Sequence, residues 1–290
     1  MKKNLLILSA LLLLSLANVS AKELTISTNS WIGYTPLFYA NEKGYLKKLD
    51  IKLITSHTLA QAADLYMNKK ADMVTTTQHE YYAIKRAGHS IIPVILFDRS
   101  NGADLVLSNK SIKELQKANH IEAYLKTNSI NREVLKEFLN HYNLNHKELT
   151  LINKEPKEII QLQPKKDKNM LIVTFIPYNE SLQKNGFREL ASTKESSVLI
   201  VVDALCTNQK TLNNDKKRLY ELKKIIDKSI SEIQNNKKAS YTLVKDYLDG
   251  LSYAEYIHAL NLIKWINKPS QTFLKEIEKL RYNKEQLIEE

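Results

Sequence analysis

The tightest constraint on how this chain folds is a rhythm in its first hundred residues. Short apolar or alternating segments are each followed by a polar turn and then by apolar residues at helical spacing. Leu24–Thr28 alternates as a strand, a polar and aromatic loop runs from Asn29 to Tyr34, and Pro36 stands where a helical first turn tolerates a missing N–H. Thr35 is the expected N-cap, and Gly44, free to take positive φ, the expected stop. The pattern then repeats with strands at Ile51–Thr55, Met73–Thr75 and Ile91–Phe97 and helices at Leu59–Asn68 and His79–Ala87. This βαβαβαβ order with short connections predicts a parallel sheet covered by helices on both faces, whose ligands sit outside the carboxyl ends of the strands. Two polar turns, Ser30 to Tyr34 and Thr75 to Gln78, fall at those ends.

A polar segment, Asp98 to Asp104, marks a first crossing into a second α/β set. That set carries strands at Ile121–Leu125, Leu149–Ile152 and Met170–Phe175, and helices at Ser111–Gln116, Asn131–Tyr142, Lys157–Leu162 and Asn179–Lys184. Polar corners at Thr127–Asn131 and Phe175–Asn179 again join a strand to a helix. A return crossing is expected at Ser192–Ser196, followed by an apolar strand at Ser197–Asp203 and by helices at Asp215–Asn235, Lys238–Leu248, Ser252–Asn267 and from Ser270 onward. The expected organisation is one discontinuous lobe, 22–104 with 197–290, and an inserted second lobe, 105–196, with a helical C-terminal portion.

Residues 1–21 have the plan of a cleaved secretory signal peptide: Lys2 and Lys3, an apolar run from Leu5 to Leu16, and the small-residue site Val19-Ser20-Ala21. The apolar run is shorter than the roughly 20 residues a bilayer-spanning helix needs. The single Cys206 precludes an intramolecular disulfide, so the fold rests on packing, and its apolar surroundings predict a buried thiol. The formal net charge is +11, but the lysines are scattered among acidic and amide residues in short pairs rather than gathered in one block. They read as solvated helix faces, and an export signal argues against nucleic acid as a partner.

Motifs for catalysis are missing. His79-Glu80 begins like a zinc-protease pair, but Ala83 occupies the place of the second histidine. His141 and His146 lack accompanying cysteine or carboxylate ligands. There is no glycine-rich phosphate loop and no serine in a nucleophile elbow. The expectation is therefore a protein that is not an enzyme, has no cofactor and holds no metal. Its binding groups would be the amides and hydroxyls of Asn29, Thr76, Thr77, Asn128 and Ser129 and the flat walls of Trp31, Tyr34 and Tyr178. Asp203, placed at the carboxyl end of the return strand, would reward a cationic or hydrogen-donating ligand if it reaches the site. Arg99 at the first crossing is either a partner for an anionic ligand or a hinge-surface residue.

The segment WIGYTPLFYANEKGYLKK, with ADMVTTTQHEYYAIKRAG, NGADLVLSN and LIVTFIPYNESLQKNGFRELAST in that order, resembles the periplasmic substrate-binding proteins of nitrate, sulfonate and taurine ABC importers, a family that also covers thiamine-pyrimidine-precursor binders. The resemblance implies a type II periplasmic-binding fold of two α/β lobes joined by two crossings, with a ligand in the cleft between them. It places ligand contacts at Asn29, Trp31, Gly33, Tyr34, Thr76, Thr77, Gln78, Asn128, Ser129, Pro177 and Tyr178. Where many relatives have a Gly-Ser-rich turn, this chain has Thr127-Asn128-Ser129, which offers fewer free backbone donors to a small oxyanion. The implied role is a monomeric periplasmic protein that captures a small polar or anionic, sulfonate-like ligand for an ABC permease at the inner membrane. The alternatives are a ligand-sensing module that signals to a membrane receptor, and a thiamine-pyrimidine-precursor enzyme, which would need a Cys- and His-bearing active segment.

Overall fold

The computed structural model describes residues 22–194, 199–279, 282 and 285–288, so the expected leader at 1–21 lies outside the described residues. In chain order the strands are β1 (Leu24–Asn29), β2 (Ile51–Ser56), β3 (Met73–Thr76), β4 (Ile92–Ser100), β5 (Asp104–Ser108), β6 (His120–Leu125), β7 (Glu148–Asn153), β8 (Met170–Phe175), β9 (Arg188–Ser192), β10 (Val202–Thr207) and β11 (Ile263–Trp265). The helices are α1 (Thr35–Glu42), α2 (Leu59–Met67), α3 (Gln78–Arg86), α4 (Ile112–Lys117), α5 (Asn131–His141), α6 (Pro156–Ile159), α7 (Asn179–Lys184), α8 (Gln209–Asn235), α9 (Lys237–Val244), α10 (Tyr253–Asn261) and α11 (Gln271–Lys279).

Two sheets form the two lobes. The first has the order β11-β4-β10-β3-β1-β2 and the second β7-β6-β8-β5-β9. The expected all-parallel arrangement holds for β1 with β2 and β3, and for β6 with β7 and β8. It fails at β10, which lies antiparallel between β3 and β4, and at β5, which is antiparallel to both β8 and β9. The crossings are the cause: a strand that enters a sheet straight from the other lobe, with no covering helix before it, is not bound to the parallel βαβ geometry. The alternating faces of β10 show how each sheet face is filled. Leu205 packs with Ile26, Met73 and Ile95 on one side, while Ala204 and Cys206 pack with Val74, Leu96 and Ile84 on the other.

Several boundaries differ from expectation for physical reasons. Thr35 lies inside α1, its hydroxyl bonded to the Ile32 carbonyl at 2.5 Å, because a short 3-10 turn at Ile32–Tyr34 precedes the helix. The return strand runs over 202–207 instead of ending at 203, so Asp203 stands near its start and Cys206 near its end. The segment Ile263–Trp265 pairs antiparallel with β4 instead of prolonging α10, and Arg188–Ser192 adds a strand where none was expected. Residues 195–198 of the expected return crossing and strand lie outside the described residues, and the described parts on either side lie beside the first crossing. Thr193 joins the return segment to the first crossing, its hydroxyl 2.6 Å from that of Ser100 and accepting from the Gly102 N–H at 2.9 Å. Among the described residues no helix is long and apolar enough to cross a membrane.

Candidate functional site

The loop after β1 divides its residues between two sides. Asn29, Ser30, Trp31 and Ile32 face a cleft of about 500 Å³ between the lobes, and the Ser30 hydroxyl donates to Asp249 at 2.6 Å. Tyr34 points into the first lobe, fully buried, bonded through its hydroxyl to Asp203 and edge-on to Phe97 at 5.3 Å. Gly33 is the pivot between these directions. Its carbonyl accepts the Trp265 indole N–H at 3.0 Å, and the space a Cβ would need is taken by the Asp98 carboxyl. Neither Gly33 nor Tyr34 lines the cleft, and both instead hold the loop against the sheet.

The opposite wall comes from the second lobe. Phe175 at the end of β8 meets Trp31 edge-to-face at 6.1 Å and Tyr178 edge-to-face at 5.2 Å, so rings from both lobes form one aromatic corner. Pro177 lies between the latter two, after a cis peptide bond. Asn128 and Ser129 line the same wall, Ser129 folding back to accept the Asn131 N–H at the start of α5. Asn131 itself, which was not expected at the site, lines the cleft while 1% exposed. Its Nδ2 donates to the Val173 carbonyl at 3.3 Å, which fixes the amide orientation, and its Oδ1 is buried without a hydrogen-bond partner.

The expected contacts around β3 and β10 are placed elsewhere. Thr76 lies against the Cys206 sulfur at 3.2 Å, and Gln78 spans to the segment leading into β10, donating to the Ile200 carbonyl at 2.7 Å and accepting from the Val202 N–H at 3.2 Å. Thr77 caps α3 in a reciprocal box with Glu80, whose carboxylate accepts the Thr77 N–H at 3.1 Å. Thr76, Thr77, Gln78, Asp203 and Arg99 do not line the cleft. Glu80 does, although its sequence position marked only a helix first turn. Lys126, paired with Glu155, and His57 beside the Thr58 cap of α2 also line it.

Behind the Trp31–Gly33 edge lies a buried group of acids. Burial pushes the Asp98 carboxyl up to about 8; the Trp31 indole N–H close against it pulls the other way, and the Asp104 charge adds to the rise. Burial raises Asp104 to about 6 and raises Asp203 as well, where the Asp98 charge acts in the same direction. Asp98, with its pKa near 8, is therefore largely protonated at neutral pH, and all three acids are buried behind the loop rather than exposed as ligand-pairing charges.

One polar contact bridges the lobes beside the cleft: His79 Nδ1 at the start of α3 lies 3.0 Å from both carboxylate oxygens of Glu133 on α5. Burial lowers the His79 pKa, but the Glu133 hydrogen bond and the Glu80 and Glu133 charges outweigh it and the net shift is upward. A raised histidine pKa stabilises the closed pair below the unfolded value of about 6.5 and loses that contribution as pH rises through the folded value. Because Glu133 is 44% exposed the pair is worth little. Glu133→Gln is expected to cost about 0.5 kcal/mol at pH 5.5 and nothing measurable at pH 8.5 by denaturant titration.

Comparison with known proteins agrees with this architecture. The periplasmic aliphatic sulphonate binding protein SsuA from Escherichia coli superposes with a TM-score of 0.72 at 13% identity, covering 90% of this chain and 86% of that one. The alkanesulfonate-binding SsuA from Xanthomonas axonopodis pv. citri, bound to MOPS, gives 0.68 at 12% identity over 92% and 97%. The periplasmic nitrate-binding protein NrtA from Synechocystis PCC 6803 gives 0.60 at 9% identity over 80% and 68%. No curated protein matches the chain by sequence. The fold is thus that of periplasmic binding proteins, and with residues 31–240 matching the NMT1/THI5-like model, the chain belongs to the NMT1/THI5-like family.

Proposed function

We propose that this protein is an extracytoplasmic solute-binding protein: it captures a small polar organic molecule between its lobes, taken as 22–104 with 197–290 and 105–196, and delivers it to an ABC permease. The observation that carries this reading is the aromatic corner, in which Trp31 from the first lobe and Phe175 and Tyr178 from the second share one cleft. A ligand lying there contacts both lobes at once and so favours the closed arrangement over the open one. The described parts of the two crossings, fastened at Thr193, supply the axis for such closure.

Binding rather than chemistry is also what the lone cysteine supports. Cys206 is fully buried away from the cleft and its thiol is pushed up to about 12 by burial, far from a reactive thiolate. Among the described residues no group of three or more His, Cys, Asp or Glu could hold a metal ion.

The test is thermal denaturation of the purified chain against a library of small metabolites. A ligand present at 100 times its Kd should add roughly 2.7 kcal/mol of stability. The Trp31→Ala/Tyr178→Ala double variant is expected to fold and to lose that increment. An undiminished shift in the double variant would remove the cleft from consideration as the site.

A further inference from the structure

The charge of the cleft runs against the charge of the chain. Although the whole sequence carries +11, Lys126 is already paired with Glu155, and the rest of the charged lining is Lys157 against Glu80, Glu180, Asp249 and Glu255, of which Glu80 and Glu255 also cap their own helices. His57, His258 and the Tyr178 phenol complete the titratable lining among the described residues.

The hydrogen-bonding groups point the same way. An anionic ligand draws on free donors, and each helix start at the cleft already has one of its backbone N–H groups engaged by a side chain of its own cap. Thr58 takes the Gln61 N–H at 3.2 Å, Thr77 takes that of His79 at 3.1 Å, and Ser129 takes that of Asn131 at 3.3 Å. Three polar atoms of the described lining are buried without a hydrogen-bond partner: the donor Trp31 Nε1, which faces back toward Asp98, and two acceptors, Asn29 Oδ1 and Asn131 Oδ1, the latter identified as oxygen by the bond of its Nδ2 to a carbonyl that can only accept.

Asp249 lies at the aromatic corner. It accepts the Ser30 hydroxyl, and its charge adds to burial in raising the Tyr178 phenol above its ordinary value. A positively charged group between Asp249 and the faces of Trp31 and Tyr178 gains both an ion pair and cation–π attraction.

We propose that the cleft takes an organic cation with a flat apolar body, of the aryl amidinium or aryl ammonium class, its charged donor group set between Asp249 and Asn131 Oδ1 and its ring against the Trp31–Phe175–Tyr178 corner. This deepens the solute-binding reading and rests on it.

The experiment uses three probes built on the same phenyl ring: benzamidinium, its planar neutral counterpart benzamide, and the anionic benzenesulfonate, titrated calorimetrically and by thermal denaturation at low ionic strength. Benzamidinium is expected to bind at least tenfold more tightly than benzamide, with benzenesulfonate weaker still. Asp249→Asn keeps the hydroxyl acceptor and suits the positive φ of 49° at this position. It is expected to weaken benzamidinium about tenfold and to leave benzamide within twofold.

Tighter binding of benzenesulfonate than of benzamidinium would overturn the inference and leave the solute-binding reading standing. The inference is likewise overturned, with solute binding intact, if none of the three probes shifts the transition while a low-molecular-weight cell extract does. If neither the probes nor the extract shifts it, both fall.

Discussion

Replacing Gly33 with alanine is expected to destabilise the protein by about 3 kcal/mol, one of the largest effects of any single methyl group in this fold. A Cβ built at that position would lie 1.8 Å from Asp98 Oδ2, 2.4 Å from Asp98 Cγ and 2.6 Å from Trp31 Nε1. None of these can step aside cheaply. Asp98 is a short side chain on a central strand with no exposure, and Trp31 is braced against Phe175 across the cleft. The loop would have to lift from the sheet, breaking the Trp265 bond to the Gly33 carbonyl. Equilibrium unfolding in urea measures the loss, and a change below 1 kcal/mol would show that the loop is not wedged as described. The aromatic corner should suffer as well, so ligand-induced stabilisation is expected to fall with it.

The second large effect concerns pH. Asp98 has a folded-state pKa of about 8 against an ordinary value near 4, so between those values the native state holds a proton that the unfolded chain has released. Stability from this group is therefore greatest at low pH and falls as pH rises toward 8, and the upward shifts of Asp104 and Asp203 act in the same sense. Opposing them, Glu122 is held below its usual range by Lys168 and Tyr124, which favours the fold above about pH 4.5 and is lost as pH falls further. The stability maximum is expected on the acid side of neutrality. Asp98→Asn imitates the protonated acid. It should leave stability near pH 3.5 almost unchanged and raise it on the order of 3 kcal/mol near pH 8.5, flattening the profile. A variant whose profile keeps the slope of the parent would place the titrating group elsewhere.

The architecture was readable where local pattern and tertiary role coincide. The alternation of Leu24–Thr28 and the Pro36 and Gly44 signals mark a strand and a helix whose position owes nothing to distant neighbours. The cleft lining was readable on one side of each polar corner. Asn29 and Trp31, Asn128 and Ser129, Pro177 and Tyr178 all face the cleft. The turn after β3 looks equally ligand-like in sequence, but its Thr77 serves a helix cap and its Gln78 holds the chain leading into β10.

That difference depends on a strand more than a hundred residues away, and no local spacing reports it. Asp203 stands near the start of its strand instead of its carboxyl end for a related reason: the apolar run before it gave no mark of where strand pairing begins. Trp265 was hidden because Tyr256, Ile257, Ala259 and Leu260 set a helical spacing that Ile263 continues, whereas the chain leaves α10 at Asn261 to pair with β4. Asn131 and Glu80 carried an ordinary helix-start signature, and only the opposed lobe turns those starts into cleft walls.

The insertion of β10 between β3 and β4 has a consequence for a chain made from its N-terminus. When residue 100 has been synthesised, β3 and β4 exist in sequence but cannot be neighbours, because the slot between them, about 10 Å across, awaits a strand from residues 202–207. Until that strand arrives, two facing rows of backbone amides and carbonyls have no partners. A product truncated before residue 202 is thus born with open strand edges at the middle of its first sheet, a template for pairing with other nascent copies. The completed molecule has closed that slot, so the order of synthesis places its greatest aggregation risk in the interval before the return crossing.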